Sequence, residues 1–133
     1  MENTYSNEEL SSLYELGRLY FEMGYFAPAE RVFNGLCAVG EGRTPARLGL
    51  GLVKLERGLY QEATIQFRNA LQLTSSSLQA KLGLCAAFIA IGEISRARTI
   101  LAEIAKSAEL NEQTDAEIRR LFEAFVIRCS ESA

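Results

Sequence analysis

A self-similarity at a spacing of 34 residues constrains this chain more than any other feature of its sequence. Residues 24–29, 58–63 and 92–97 read GYFAPA, GLYQEA and GEISRA, and they superimpose without a gap. Small residues at fixed positions with large apolar residues beside them are typical of stacked antiparallel helix pairs, because small residues let backbones approach. The same spacing relates two sets of large apolar residues: Leu16, Leu50 and Leu84, and Phe33, Phe67 and Leu101.

This 34-residue period is typical of tetratricopeptide repeats, in which each repeat is one pair of antiparallel helices. The length of 133 residues fits one domain over residues 1–133. We therefore predict an all-α fold, a right-handed superhelical array of three helical hairpins with a C-terminal capping helix. The three predicted repeats and the capping helix span about residues 10–43, 44–77, 78–111 and 114–129.

Helix start signals are clearest near the two ends of the chain. Ser6 or Asn7 should be the N-cap of the first helix, with Glu9 completing a capping box, and Thr114 with Glu117 forms a second box. The helix that follows the second box should cover the last repeat, because a stack of repeats leaves its final apolar face open. Its apolar residues share one face: Ile118, Leu121, Phe122, Phe125, Val126 and Cys129.

Glycine and proline mark other helix ends. Pro28 fits the first turn of the second helix, where a missing N–H costs little, and Gly40 and Gly42 should end that helix near residue 39. Thr44 and Pro45 then start the third helix. Seven helices are predicted in all. Besides the second one, they span about residues 8–23, 45–57, 61–73, 77–91, 95–108 and 114–129.

Charge and composition exclude several classes of partner. A net charge of −3 gives no broad attraction to nucleic acid or to anionic membranes, so neither partner is expected. The sequence has no apolar run of membrane-spanning length and no signal peptide at its N-terminus. Cys37, Cys85 and Cys129 form an odd set without close spacing, which favours a reducing compartment. We expect a cytoplasmic protein that does not insert into membranes.

Catalysis is not expected. The chain has no histidine, so it lacks an imidazole base, acid or metal ligand, and no glycine-rich phosphate loop follows a strand. Gly51 lies inside a predicted helix at a small position of the repeat, where close packing explains it, and Cys85 takes the corresponding place in the next repeat. We predict no catalytic residue, no metal site and no cofactor.

The first helix of each pair should line a concave groove. Its fifth, ninth and twelfth repeat positions face inward, and eight of these nine residues are apolar. Arg18 is the exception, and it should pair with Glu22 one helical turn on. Such a groove lacks the Lys, Asn and Arg of tetratricopeptide domains that capture a C-terminal carboxylate. The predicted partner-binding residues are Tyr14, Arg18, Phe21, Leu48, Leu52, Leu55, Leu82, Ala86 and Ile89.

A helix that is apolar nearly all round, as residues 48–55 are, requires burial on two sides. We expect an apolar groove that is open to an extended or helical segment of a partner protein. The alternative is that the C-terminal helix folds back into the groove, or that two subunits bury it.

Residues 13–26, 29–37 and 46–51 carry a resemblance to a known family, and VFNGLC at 32–37 is its most specific part. They resemble the class II chaperones of bacterial type III secretion systems. That family has three tetratricopeptide repeats, is small, acidic and cytoplasmic, and keeps hydrophobic translocator subunits soluble before export. The resemblance implies that six residues match groove positions which take an extended translocator segment: Tyr14, Phe21, Leu48, Leu52, Leu55 and Leu82.

Two functions from different classes use the same groove. The first is a chaperone that holds an apolar segment of an exported protein, and the second is an adaptor or self-assembling scaffold of a bacterial secretion system or another multiprotein assembly. A homodimer is left open. Family members dimerise through a helix in a longer N-terminal extension, whereas here only residues 1–7 precede the first predicted helix, and the Phe-containing C-terminal segment is an alternative contact.

Overall fold

A computed structural model describes residues 5–39 and 43–131 of the chain. Within these residues the chain forms seven α-helices and no strand, and the helix ends that were predicted lie within two residues of their predicted positions. The predicted breakers Gly40 and Gly42 lie outside the described residues. The helices are α1 (Asn7–Glu22), α2 (Phe26–Ala38), α3 (Arg43–Glu56), α4 (Tyr60–Leu73), α5 (Leu78–Ile91), α6 (Ile94–Lys106) and α7 (Ala116–Glu131).

The turn inside each hairpin explains the repeated glycine. Gly24, Gly58 and Gly92 have φ values of 83°, 76° and 95°, in the left-handed region that a side chain disfavours. The N–H of the residue after each glycine donates to a carbonyl five residues earlier, at 2.8 Å in all three turns. This hydrogen bond ends the first helix of the hairpin, and the chain then reverses direction to form the second helix antiparallel to it.

The helices stack in sequence order. α1 packs on α2, α3 on α4 and α5 on α6, while α2 and α4 also pack on the helix that follows them. α1, α3 and α5 contact one another in turn and so form one side of the array, and α7 packs on α5 and α6. The predicted tetratricopeptide arrangement with a C-terminal capping helix is confirmed.

Two phenylalanine rings lie between pairs of glycines from adjacent helices. A Cβ atom on Gly17 or Gly49 would lie 2.7 Å from the ring of Phe33. One on Gly51 or Gly83 would lie 2.5 or 2.4 Å from the ring of Phe67. Carbon atoms pack at about 3.5–4.0 Å, so there is no room for a side chain at any of these four glycines. We call each phenylalanine ring with its two glycines a glycine slot. The predicted packing role of Gly51 is therefore confirmed.

Most of the predicted core is buried, but its first two members are not. Leu16 is exposed and Tyr20 is only half-buried, so the prediction that both are buried was wrong. The reason is their place in the array, since no described helix packs on the outer side of α1. The core positions that are buried as predicted are Phe33, Leu50, Phe67, Leu84, Phe88 and Leu101.

The two predicted capping boxes have different outcomes. Ser6 caps α1, and its hydroxyl accepts the Glu9 N–H at 3.1 Å. The prediction of a second capping box at Thr114 and Glu117 was wrong, because α7 begins at Ala116, one residue later than a cap at Thr114 requires. Asp115 accepts the Glu117 N–H at 2.8 Å instead, while Thr114 accepts the N–H of a residue in the preceding turn.

Candidate binding groove

An apolar cavity of about 630 Å³ opens on the side of the array formed by α1, α3 and α5, and we call it the groove. Ile89 does not line the groove. Its side chain is half-buried and packs against the core that residues of α4, α5, α6 and α7 form. The structure brings together eight of the nine residues that the sequence assigned to partner binding: Tyr14, Arg18, Phe21, Leu48, Leu52, Leu55, Leu82 and Ala86.

Helical spacing and the glycine slots together build the floor of the groove. Residues at i, i+4 and i+7 share one helix face, which is why three positions from each first helix converge. Phe33 and Phe67, each fixed between two glycines, lie beneath them and also line the groove. Leu82 is buried in this floor, whereas Leu52 remains 42% exposed. Leu52 is therefore accessible to a bound segment.

The C-terminal helix α7 forms one wall of the groove, so it lies at the groove as the alternative prediction had it but leaves the groove open. Ile118, Leu121 and Phe125 line the same cavity as the residues of α3 and α5. The sequence analysis assigned this apolar face to covering the last repeat. Leu121 and Val126 remain exposed, so the predicted apolar face is only partly buried.

Polar contacts hold this wall in place. The Arg98 guanidinium donates twice to the backbone carbonyl of Cys129, at 3.1 and 2.6 Å, and the Cys129 side chain is buried. Lys81 on α5 bonds Glu109 in the connection before α7 at 2.6 Å. α7 thus borders the groove without filling it.

The groove carries almost no charge. Among the described residues that line it, only Arg18 and Glu22 are charged, and they pair with each other at 3.1 Å, as predicted. Arg18 also lies 3.5 Å from Glu15. Burial raises the pKa of the Tyr14 hydroxyl, with Arg18 acting to lower that pKa and Glu15 to raise it, so Tyr14 is neutral near pH 7. The lining favours apolar side chains over a free carboxylate.

The described residues offer no catalytic or metal-binding cluster. They contain no group of three or more Cys, Asp and Glu side chains that could hold a metal ion. Cys85 is buried, and burial raises the pKa of its thiol to about 12, which removes the thiolate that a nucleophile requires. None of the helices in the described part of the chain is long and apolar enough to cross a membrane.

The sequence model of one protein family, described as "Tetratricopeptide repeat", matches residues 54–121. That match covers half of the chain. No curated protein matches the chain in sequence.

Solved structures share the fold. The type III secretion translocator chaperone SycD of Yersinia enterocolitica is 22% identical with a TM-score of 0.75, over 95% of this chain and 98% of SycD. PcrH of Pseudomonas aeruginosa is 21% identical with a TM-score of 0.75, over 93% of this chain and 96% of PcrH. The first TPR domain of human RPAP3 is 16% identical with a TM-score of 0.70, over 93% and 97% of the two chains. At this level of identity the likeness concerns the fold.

Proposed function

Since the chain belongs to the tetratricopeptide repeat family, we propose that it is a protein-binding chaperone that holds an apolar segment of an exported, translocator-like protein in the groove. It acts in the cytoplasm as one domain of three repeats and carries out no catalysis. The observation that carries this proposal is the groove itself, which is apolar, open and charged only where Arg18 and Glu22 neutralise each other.

The structural relatives support the class of partner. SycD has been solved in complex with a peptide of the translocator YopD, and PcrH in complex with the chaperone binding regions of PopB and PopD. This chain resembles those chaperones over nearly its whole length, and the VFNGLC run at 32–37 places Phe33 in the groove floor. A translocator segment is therefore the partner that we propose for it.

The physical task of the groove is to remove apolar side chains from water. Each Å² of apolar surface buried contributes roughly 25 cal/mol, and a segment that anchors a few large side chains gains enough to offset its ordering. Leu52 of α3 and Leu121 of α7 both line the cavity and are still partly exposed to solvent. A segment lying between α3 and α7 would cover both of them.

The test is a charge at an exposed apolar position of the groove, Leu52 on α3. Leu52→Glu should weaken binding of an apolar translocator peptide by about tenfold or more, because the carboxylate must be desolvated on binding. Suitable probes are apolar segments of exported proteins encoded beside this gene, measured by calorimetry or fluorescence anisotropy. Leu52 is a better target than Leu55, which packs partly against the core.

Ile65→Glu is the matched control. Ile65 is 53% exposed on α4 and does not line the groove, so its replacement adds the same charge at similar exposure. Equal affinity of both variants and the wild type, with unchanged helical content, would contradict the proposal.

The alternative is an adaptor or scaffold, because the fold of this chain also occurs in the first TPR domain of human RPAP3. A chaperone forms a small complex of defined stoichiometry with one exported protein, whereas a scaffold enters a large particle or polymerises. Light scattering of the purified complex separates these outcomes.

A further inference from the structure

Two arginine side chains from different helices lie against the same phenylalanine ring, outside the groove. The guanidinium carbon of Arg68 on α4 lies 5.6 Å from the centroid of the Phe88 ring on α5. The guanidinium carbon of Arg96 on α6 lies at the same distance, 5.6 Å, from that centroid. The two guanidiniums are therefore at most twice that distance apart. We call Arg68 and Arg96 the arginine pair.

The charge of the arginine pair is not neutralised within the described part of the chain. Arg68 forms no ion pair with a carboxylate of the described residues. Arg96 lies 3.4 Å from Glu93, but their side chains are 61% and 42% exposed, and such exposed pairs are weak. The nearby guanidinium of Arg98 bonds a backbone carbonyl, that of Cys129, rather than a carboxylate. A protein of net charge −3 thus has a local positive patch here.

The equivalent place in the preceding repeat has the opposite arrangement of charge. Lys54 stands 34 residues before Phe88, and Glu62 stands 34 residues before Arg96. The Lys54 ammonium lies 3.1 Å from the carboxylates of both Glu30 and Glu62, so the charges at that place satisfy one another. In the third repeat a ring replaces the ammonium and an arginine replaces the glutamate. Packing of the repeat does not require this change, because the second repeat packs without it.

The ring holds the two guanidiniums ready for an acceptor. Phe88 is buried in the core, so its ring is fixed in position. A guanidinium over a ring is attracted by the electron density of the ring face and keeps its N–H donors for another group. A guanidinium that is already held in this way loses less side-chain freedom when it binds. The arginine pair is therefore suited to a planar acceptor with two oxygens, such as a carboxylate.

We propose that the arginine pair binds an acidic segment of a second protein, with one carboxylate on each guanidinium. A short acidic segment contacts the positive patch alone. A long polyanion or an anionic membrane would also meet the rest of this chain, whose net charge of −3 repels it. A surface cavity of about 490 Å³, which Arg96 and Arg98 line, gives the segment room beside the ring.

The arginine pair stays accessible when the groove is occupied. Neither arginine lines the groove. Phe88 lies on a different face of α5 from Leu82 and Ala86, which do line the groove. The protein can therefore hold one partner in the groove and a second partner at the arginine pair. This inference does not depend on what the groove holds.

Fluorescence anisotropy of a labelled peptide with the full chain tests the site. The probe is a peptide of alternating Glu and Gly, and its matched control has Gln in place of Glu. The wild type should bind the Glu peptide but not the Gln peptide, with an affinity that falls as salt is raised. The double variant Arg68→Gln with Arg96→Gln should raise the dissociation constant of the Glu peptide by about tenfold or more.

Two further double variants separate charge from geometry. Arg31→Gln with Arg120→Gln removes the same charge from exposed arginines of α2 and α7, and it should change the dissociation constant by less than about twofold. Arg68→Lys with Arg96→Lys keeps the charge but loses the planar fork, so it should bind the Glu peptide more weakly than the wild type does. Urea unfolding checks that each variant folds. If the loss of both arginines unfolds the chain, Arg68→Gln alone carries the test.

Arginines that only cover the Phe88 ring would give a different result, because their replacement would lower the urea midpoint and leave the affinity for the Glu peptide unchanged. That result overturns the proposal. So does a wild type that does not bind the Glu peptide, an equal loss of affinity in the Arg31 and Arg120 variant, or a lysine variant that binds as tightly as the wild type. An oligodeoxythymidine that displaces the Glu peptide at a lower concentration than the Glu peptide itself requires also overturns it, since the partner would then be a nucleic acid.

Discussion

The glycine slot around Phe67 gives the sharpest test of how this array is packed. A methyl group on Gly51 would lie 2.5, 2.6 and 2.8 Å from three carbons of the Phe67 ring, and that ring is fully buried. The ring has little room to move, because Gly83 of α5 also packs closely against it, and a Cβ there would lie 2.4 Å from the ring. Gly51→Ala must therefore push α3 away from α4 or force the ring from its rotamer.

Two effects of opposite sign set the magnitude. Replacing a glycine inside a helix by alanine stabilises by about 0.5–1 kcal/mol, because the unfolded chain loses freedom. Overpacking of a filled core costs about 1–3 kcal/mol. We expect the second effect to win and Gly51→Ala to destabilise the protein by about 1–2 kcal/mol, measured as a lower urea midpoint at unchanged slope.

The control is Gly35→Ala. Gly35 lies within α2, and a Cβ there would meet nothing within 4 Å, so only the favourable effect remains and this variant should be more stable by about 0.5–1 kcal/mol. A Gly51→Ala protein that gains stability as Gly35→Ala does would refute the reasoning.

A second substitution tests whether the side chain added at residue 51 and the Phe67 ring compete for the same space. In the third repeat Cys85 takes the place of Gly51 and Leu101 that of Phe67, so a larger residue on one side accompanies a smaller one on the other. Phe67→Leu should accordingly offset part of the cost of Gly51→Ala, with a coupling of about 0.5–1 kcal/mol in a double-mutant cycle. Strictly additive changes would show that the two residues do not compete for space.

Two further predictions concern the thiol and the tail. Burial raises the pKa of Cys85 from 9.0 to about 12, so its thiol favours the folded state below pH 9 and this contribution is lost as the pH rises toward 12. Urea midpoints should thus fall less steeply above pH 9 in Cys85→Ala than in the wild type, and parallel curves would contradict this. Removal of residues 112–133 should expose the α5–α6 core and cause aggregation in light scattering, whereas a monomeric, fully helical product would show that α7 is no cap.

The groove could be predicted from the sequence only in part. Tyr14, Leu48 and Leu52 follow from counting along a repeat, because helical periodicity fixes which side of its own helix a residue occupies. Ile89 is counted in the same way but does not line the groove, because its side chain packs against the buried core. Phe125 enters the groove through the same packing, which no spacing within the chain predicts.

What the sequence by itself determined is local. The three left-handed turns at Gly24, Gly58 and Gly92 and the Ser6 cap depend on residues within a few positions of one another, so they can be recognised before any packing is known. The period of 34 is read directly by comparing the sequence with itself. Helix type and helix ends follow from the same short-range rules.

Only the tertiary structure decided which repeat positions are covered. Leu16, Leu50 and Leu84 are identical in type and in repeat position, yet Leu16 is exposed and the other two are buried. The difference arises from their neighbours, because α3 and α5 each have a hairpin packed before them and α1 has no such helix among the described residues. Burial is a property of what lies next to a residue in space, and a repeated sequence pattern places the same side chain in unequal surroundings.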